Sequence, residues 1–277
     1  MKSKSKVVFT VILCLLFAIF LISAIVLISY FIQSKQSQAT YNELAAIVDA
    51  VRSTTTTGSD DVAGSETAPT PPSPFVEVAD PTGNTISVLR EYAPAYQLNS
   101  HMVGWLTIDG TNINYPVVQT PDSADYYLRR DFYGNRDTHG CIYAAEICDI
   151  NTPSDNITLY GHRMRDGTMF AELSNYSSKE FWQSYPLIRF DTLFEHHTYQ
   201  IAYVMVTEST VGKGFQYQNY TFFSDSAELQ EFIDYCQALR LYDTGVELNY
   251  GDKLLTLSTC DYSLTNGRLV VIAKRIN

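Results

Sequence analysis

Twenty-six consecutive residues, Val7 to Ile32, carry no charge and few polar side chains. A helix of about 20 residues spans the hydrocarbon core of a bilayer, so this run predicts one membrane-crossing helix over 7–32, with some tilt. A cleaved signal peptide has a shorter apolar region, about 7–15 residues, and a small-residue cleavage site. This run is longer and leaves through Ser29-Tyr30-Phe31-Ile32-Gln33 without such a site, which points to an uncleaved anchor. Lys2, Lys4 and Lys6 precede it, so residues 1–6 are expected in the cytoplasm and the rest of the chain outside the cell membrane. Cys14 would then sit in lipid.

Composition narrows what the remainder can do. With 45% hydrophobic and 13% aromatic residues, the chain is not disordered overall. The net charge is −11, and beyond residue 32 only 16 basic groups face 30 acidic ones. That balance excludes a nucleic-acid-binding body, which needs a basic face. Five cysteines over 277 residues do not make a disulfide scaffold.

The outer part divides by composition. Tyr41, Leu44, Ile47, Val48 and Val51 share a helical stripe, which predicts a short amphipathic helix within 33–52. The Thr54–Thr57 run and Pro69-Thr70-Pro71-Pro72-Ser73-Pro74 cannot build a core, so 53–84 reads as a flexible stalk. The residues from 33 to 84 are thus juxtamembrane helix and linker, and 85–277 is the globular domain, large enough for one core. Short strand-like segments dominate it: 104–108, 112–118, 141–147, 156–160, 187–191, 198–207, 253–259 and 269–275. Asp109-Gly110 marks a hairpin turn between the first two. Helical signals begin at Met169 and Lys179, and a longer helix is expected from Ser226 to Leu241. That helix has Leu229, Phe232, Ile233, Cys236 and Leu239 on one face and Asp225 with Glu228 at its start. The pattern suggests a mainly β fold, an antiparallel barrel with helices inserted in its connections.

The chemistry concentrates in Thr256-Leu257-Ser258-Thr259-Cys260, a strand that ends on a thiol beside a loop. Arg268 opens the next strand. If the two strands pair, its guanidinium lies near the thiol and can stabilise a thiolate or an oxyanion. The alternative is an inert core cysteine beside a surface arginine. The best candidate base is His162, which an apolar strand delivers after Gly161. His101, His139, His196 and His197 compete, the last two in what reads as a solvated turn. Ser258 and Thr259 either hydrogen-bond substrate or are ordinary small strand residues. Tyr160 is groove or core, and Asp261 orients a neighbour or caps the turn. Thr138-His139-Gly140-Cys141 resembles the cysteine box of L,D-transpeptidases and makes Cys141 a rival nucleophile, although the bland reading of Cys141 and Cys148 is a buried strand region. No Cys-x-x-Cys or His-Glu-x-x-His spacing calls for a metal.

Several segments together resemble a class B sortase. They are Val103-Gly104-Trp105-Leu106, the run from Gly110 to Gln119, Tyr126-Tyr127-Leu128, Leu159-Tyr160-Gly161-His162-Arg163-Met164, Gly167-Thr168-Met169-Phe170, the Thr-Leu-Ser-Thr-Cys strand and the run from Arg268 to Arg275. The match covers nearly all of Asn99 to Asn277, and the helix before the cysteine strand resembles the class B insertion. Ile142-Tyr143-Ala144-Ala145 departs from it, since relatives often have an aromatic and then an acidic residue there.

The resemblance implies a closed eight-stranded barrel and a membrane-anchored cysteine transpeptidase without a cofactor. Its substrates would be secreted proteins that carry a C-terminal sorting motif such as Leu-Pro-x-Thr-Gly or Asn-Pro-Gln-Thr-Asn. They would be cleaved after Thr and joined to a peptidoglycan amine. By the same resemblance Cys260 takes the nucleophile's place, His162 the acid/base place and Arg268 the electrophile-stabilising place. A non-catalytic extracellular binding module and an enzyme using Cys141 are the competing readings.

Overall fold

The computed structural model describes residues 2–56, 73–120, 122–210 and 212–277. It divides into two units, 1–40 and 41–277. The first is formed by helix α1, which runs unbroken from Lys2 to Thr56 and so extends into the second unit. The two separate helices expected at 7–32 and 33–52 are therefore one. The physical reason is that no glycine or proline interrupts residues 2–56. The helix is long and apolar enough to cross a membrane. Its last turns belong to the second unit, where Tyr41, Leu44 and Val48 are buried in the main core.

That unit opens with a hairpin of β1 (Phe75–Ala79) and β2 (Thr85–Leu89), paired from Phe75↔Leu89 to Ala79↔Thr85. The stalk reading of 53–84 is thus corrected for 75–84, and a domain boundary at 85 would cut this hairpin in two. Asp80 organises the turn, its carboxylate accepting from the backbone N–H groups of Thr82 (2.9 Å) and Asn84 (2.8 Å). Residues 57–72 of the expected linker lie outside the described residues.

After the short helix α2 (Ala93–Leu98) come β3 (Met102–Thr107), β4 (Asn114–Val118), β5 (Ile142–Ala144) and β6 (Asn156–Tyr160). A 3₁₀ segment, Ala171–Ser177, replaces the helix expected from Met169 and leads into α3 (Lys179–Ser184). Then follow β7 (Leu187–Thr192), β8 (Thr198–Glu208), α4 (Ser226–Leu239), β9 (Leu254–Asp261) and β10 (Gly267–Arg275). Eight strands close a barrel in the order β10-β8-β7-β3-β4-β5-β6-β9. The barrel is mixed rather than wholly antiparallel, because β4 pairs with β5 and β6 pairs with β9 in parallel. Parallel neighbours need long connections, and both pairs have them.

Alternation along β9 and β10 separates two cores. Leu255, Leu257, Leu269, Val271 and Ala273 join the main core, whereas Leu254, Val270 and Ile272 join a second cluster. Leu229, Phe232, Ile233 and Cys236 of α4 cover that second face, together with Phe215, Tyr217 and Phe223 from the preceding connection. Asp225 caps α4 by accepting from Ala227 and Glu228 N–H (both 2.9 Å), and Glu228 reaches back to Ser224 N–H (2.7 Å).

The burial of the last turns of α1 has a measurable consequence. Leu44→Ala should lower the unfolding free energy of this unit by about 2–5 kcal/mol, whereas Asn42→Ala, on the exposed side, should change it by no more than about 0.5 kcal/mol. Denaturant unfolding followed by tryptophan fluorescence checks this.

Candidate active site

The site grows from the register of three neighbouring strands. β9 lies between β10 and β6 in the ring. Cys260 pairs directly with Arg268 across the antiparallel β9–β10 ladder. Directly opposed residues project from the same face with Cα atoms about 5 Å apart, so the two side chains share one face of the ladder; the Arg268 guanidinium itself donates to the Gly267 carbonyl at 3.1 Å. On the other flank Tyr160 pairs with Ser258, and the ladder runs one bond further through Gly161 N–H to Ser258 C=O at 3.3 Å. His162 follows the last paired residue of β6 by two positions, as Cys260 follows Ser258 on β9. Residues Leu254 to Thr259 are buried, and Cys260 is the first on the strand to reach solvent.

Gly161 allows this approach. A Cβ there would sit 2.5 Å from Ile142 Cδ1 and 2.7 Å from the Phe170 ring. His162 is half-buried and donates from Nε2 to the Leu128 carbonyl at 2.7 Å, which leaves Nδ1 as the lone-pair nitrogen of the neutral ring. Burial pushes its pKa below the ordinary histidine value. The Leu128 carbonyl opposes that, and the positive charges of Arg129 and His139 reinforce it.

The residues after His162 and Cys260 meet each other. Arg163 Nη1 lies 3.3 Å from Asp261 Oδ2, and its guanidinium stands 5.3 Å from the centre of the Tyr262 ring. Asp261 also accepts from Ser263 N–H (2.9 Å) within the turn, so it both orients a neighbour and holds the loop. Burial alone would raise its carboxyl pKa, but Ser263 and Arg163 outweigh burial and hold it low. The sequence carries a signal for this pair: opposite charges sit immediately after the histidine and after the cysteine.

Ser258 and Thr259, expected as possible substrate contacts, are each only 2% exposed. The Ser258 hydroxyl shares a 2.6 Å hydrogen bond with Tyr217, and Thr259 donates to the Gly161 carbonyl at 2.8 Å. Both are committed to the scaffold that carries His162 and Cys260. Tyr160 is half-buried against Tyr143, with ring centres 5.5 Å apart. Tyr217 lies within electrostatic range of both Cys260 and Arg268, and burial is the main cause of its raised pKa.

The rival groups are elsewhere engaged. Cys141 is 1% exposed, accepts from the Tyr41 hydroxyl at 3.3 Å and lies 3.4 Å from the Arg130 carbonyl. Burial raises its pKa strongly, which suits an inert thiol. Burial likewise pushes the Cys148 thiol up to about 11. His101 is exposed, with Nδ1 3.0 Å from the Tyr127 hydroxyl. His196 is exposed but ion-paired with Asp191 (3.0 Å) and Glu91 (3.3 Å). His197 is 6% exposed, so the solvated-turn reading of this pair fails for it; its neighbours Asp191 and Tyr199 draw it into the barrel end.

A closed mixed barrel with a thiol, an imidazole and a guanidinium at adjacent strand ends defines a cysteine acyltransferase of the sortase type. The comparisons agree: residues 106–276 match the sortase domain family model. The chain is 31% identical over 193 residues to sortase B of Staphylococcus aureus, covering 68% of this chain and 76% of that protein. It is 32% identical over 196 residues to sortase B of Listeria monocytogenes, covering 68% and 75%. The crystal structure of sortase B from Bacillus anthracis superposes with a TM-score of 0.67 at 29% identity, covering 89% of this chain and 99% of that one. The chain belongs to the sortase family, with class B members as its relatives, and is a sortase-type cysteine transpeptidase.

The burial pattern ranks the thiols of the 41–277 unit. Under native conditions iodoacetamide should modify Cys260 first, and Cys141, Cys148 and Cys236 only after unfolding; peptide mapping of the labelled protein reads the order.

Proposed function

We propose that this protein is a membrane-anchored transpeptidase. It cleaves a C-terminal sorting motif of the Leu-Pro-x-Thr-Gly or Asn-Pro-Gln-Thr-Asn type after Thr and joins the new carbonyl to a peptidoglycan amine. Cys260 is the nucleophile, His162 the acid/base and Arg268 the group that stabilises the oxyanion. The observation that supports this reading is the position of Cys260, the first solvent-reaching residue of β9, paired with Arg268 on one flank and lying two residues beyond the Ser258–Tyr160 pair on the other, as His162 lies two beyond Tyr160. Residues 1–6 lie in the cytoplasm and 7–32 cross the bilayer. The catalytic unit outside takes in 41–56 as well as the barrel.

Two half-reactions transfer the acyl group. The thiolate attacks the threonine carbonyl, and Arg268 with nearby backbone N–H groups stabilises the tetrahedral oxyanion. His162 as imidazolium gives its proton to the departing amine, and a thioester remains. An incoming amine then attacks the thioester, His162 takes its proton, and collapse returns the thiolate. The lowered pKa of His162, caused first by burial, works against its imidazolium form at neutral pH. A protease shares the first half-reaction and differs in releasing its product to water.

The test is product analysis with the full-length chain in detergent. With a sorting-motif peptide and an added glycine-based amine, the main product should be the new amide. Cys260→Ala should abolish turnover, and Arg268→Lys should lose about 10²-fold, as expected for one misplaced oxyanion donor. A free acid as the sole product at every amine concentration would establish hydrolysis instead.

A further inference from the structure

Thr138-His139-Gly140-Cys141 supplies no nucleophile, yet three of its residues are built around His162. His139 is fully buried, with Nδ1 3.0 Å from Asp137 Oδ1 and Nε2 2.7 Å from Asp166 Oδ2. A carboxylate accepts only, so both ring nitrogens donate and the ring is an imidazolium. Asp166 belongs to the loop that leaves His162, and its other oxygen accepts from Thr168 N–H at 3.1 Å and from the Thr168 hydroxyl at 2.6 Å. That loop closes on itself where Phe170 N–H donates to the His162 carbonyl at 2.9 Å. Gly140 has φ +62, and a Cβ there would lie 2.5 Å from the Leu128 carbonyl oxygen and 2.7 Å from that of Tyr127. Cys141 N–H donates to the Tyr127 carbonyl at 3.0 Å. The Leu128 carbonyl is the acceptor for His162 Nε2.

We infer that His139 is a positioning residue for catalysis: through Asp166 it pins the loop that carries His162, while Gly140 and Cys141 seat the Leu128 carbonyl that orients the imidazole. This rests on the reading of His162 as the acid/base. The effect has two parts. One is geometric, since a displacement of about 1 Å of a catalytic group can cost about 10²-fold in rate. The other is a field effect. Beside burial, which lowers the pKa of His162 most, the positive charges of Arg129 and His139 both lower it. Asp137 and Asp166 in turn raise the pKa of His139 against its burial and keep it charged.

The test uses His139→Gln and Asp166→Asn in the full-length chain. Because removing the His139 charge removes one lowering influence while burial remains, the pKa of His162 should rise in His139→Gln relative to the wild type, read by NMR titration of the histidine ring and assigned with His162→Gln. Asp166→Asn keeps the shape of a half-buried side chain, so it should fold; its kcat should fall about 10- to 100-fold at nearly unchanged KM. An unchanged His162 titration in His139→Gln, or an undiminished kcat in Asp166→Asn, would overturn the inference. If His139→Gln does not fold, the kcat and KM of Asp166→Asn decide alone. The NMR titration needs no turnover, so it stays informative even if the wild type proves inactive toward sorting-motif peptides, an outcome that would count against the function and not against the clamp.

Discussion

The pairing of β9 between β10 and β6 is the constraint on which the rest of the structure depends. One partner is antiparallel and the other parallel. The antiparallel ladder fixes Arg268 opposite Cys260, and the parallel one delivers the chain of His162 from the other flank. A one-residue slip of β9 against either neighbour would turn Cys260 into the barrel interior and put Thr259 in its place. That slip is strongly opposed, because Leu255 and Leu257 fill the interior while Leu254 packs beneath α4. Hydrophobic burial on both faces of one strand therefore leaves a partly exposed sulfur at its end.

Both faces must be covered for this to work, which explains the inserted helix. The outer face of β8, β9 and β10 carries Tyr203, Met205, Leu254, Val270 and Ile272, and α4 with its preceding connection buries them. The same connection brings Tyr217 under Ser258, so the hydroxyl two residues before Cys260 is satisfied internally. Burial also has an electrostatic cost at the site. His162 is pulled out of water and lies near positive charge, which disfavours its imidazolium. Arg163 and Asp261 tie the segments after His162 and Cys260 together across this boundary, in a partly exposed pair whose value is geometric more than energetic.

Much of this was legible in the sequence because it is local. The strand at 156–160 falls where alternation puts it, and the buried stripe of α4 is the one its spacing gives, because period and capping act within a few residues. The strands that carry Cys260 and Arg268 also fall close to where their apolar runs put them. What stayed hidden is non-local. The parallel pairings depend on long connections that no short window reports. The β1 strand, Phe75-Val76-Glu77-Val78-Ala79, follows a proline-rich stretch whose composition masked its alternation. The burial of Ser258, Thr259 and His197 follows from partners distant in sequence. The linkage of His139 to Asp166 spans 27 positions, and only the folded chain brings those residues together.

The central claim is that the sulfur of Cys260 receives the acyl group. The most direct measurement is intact-mass and peptide-map analysis of the protein quenched in acid during turnover of a sorting-motif peptide. The account predicts an acyl adduct of the N-terminal cleavage fragment, removable by hydroxylamine and confined to the peptide containing Cys260. An adduct on Cys141, or steady turnover with no adduct on any cysteine, would contradict it.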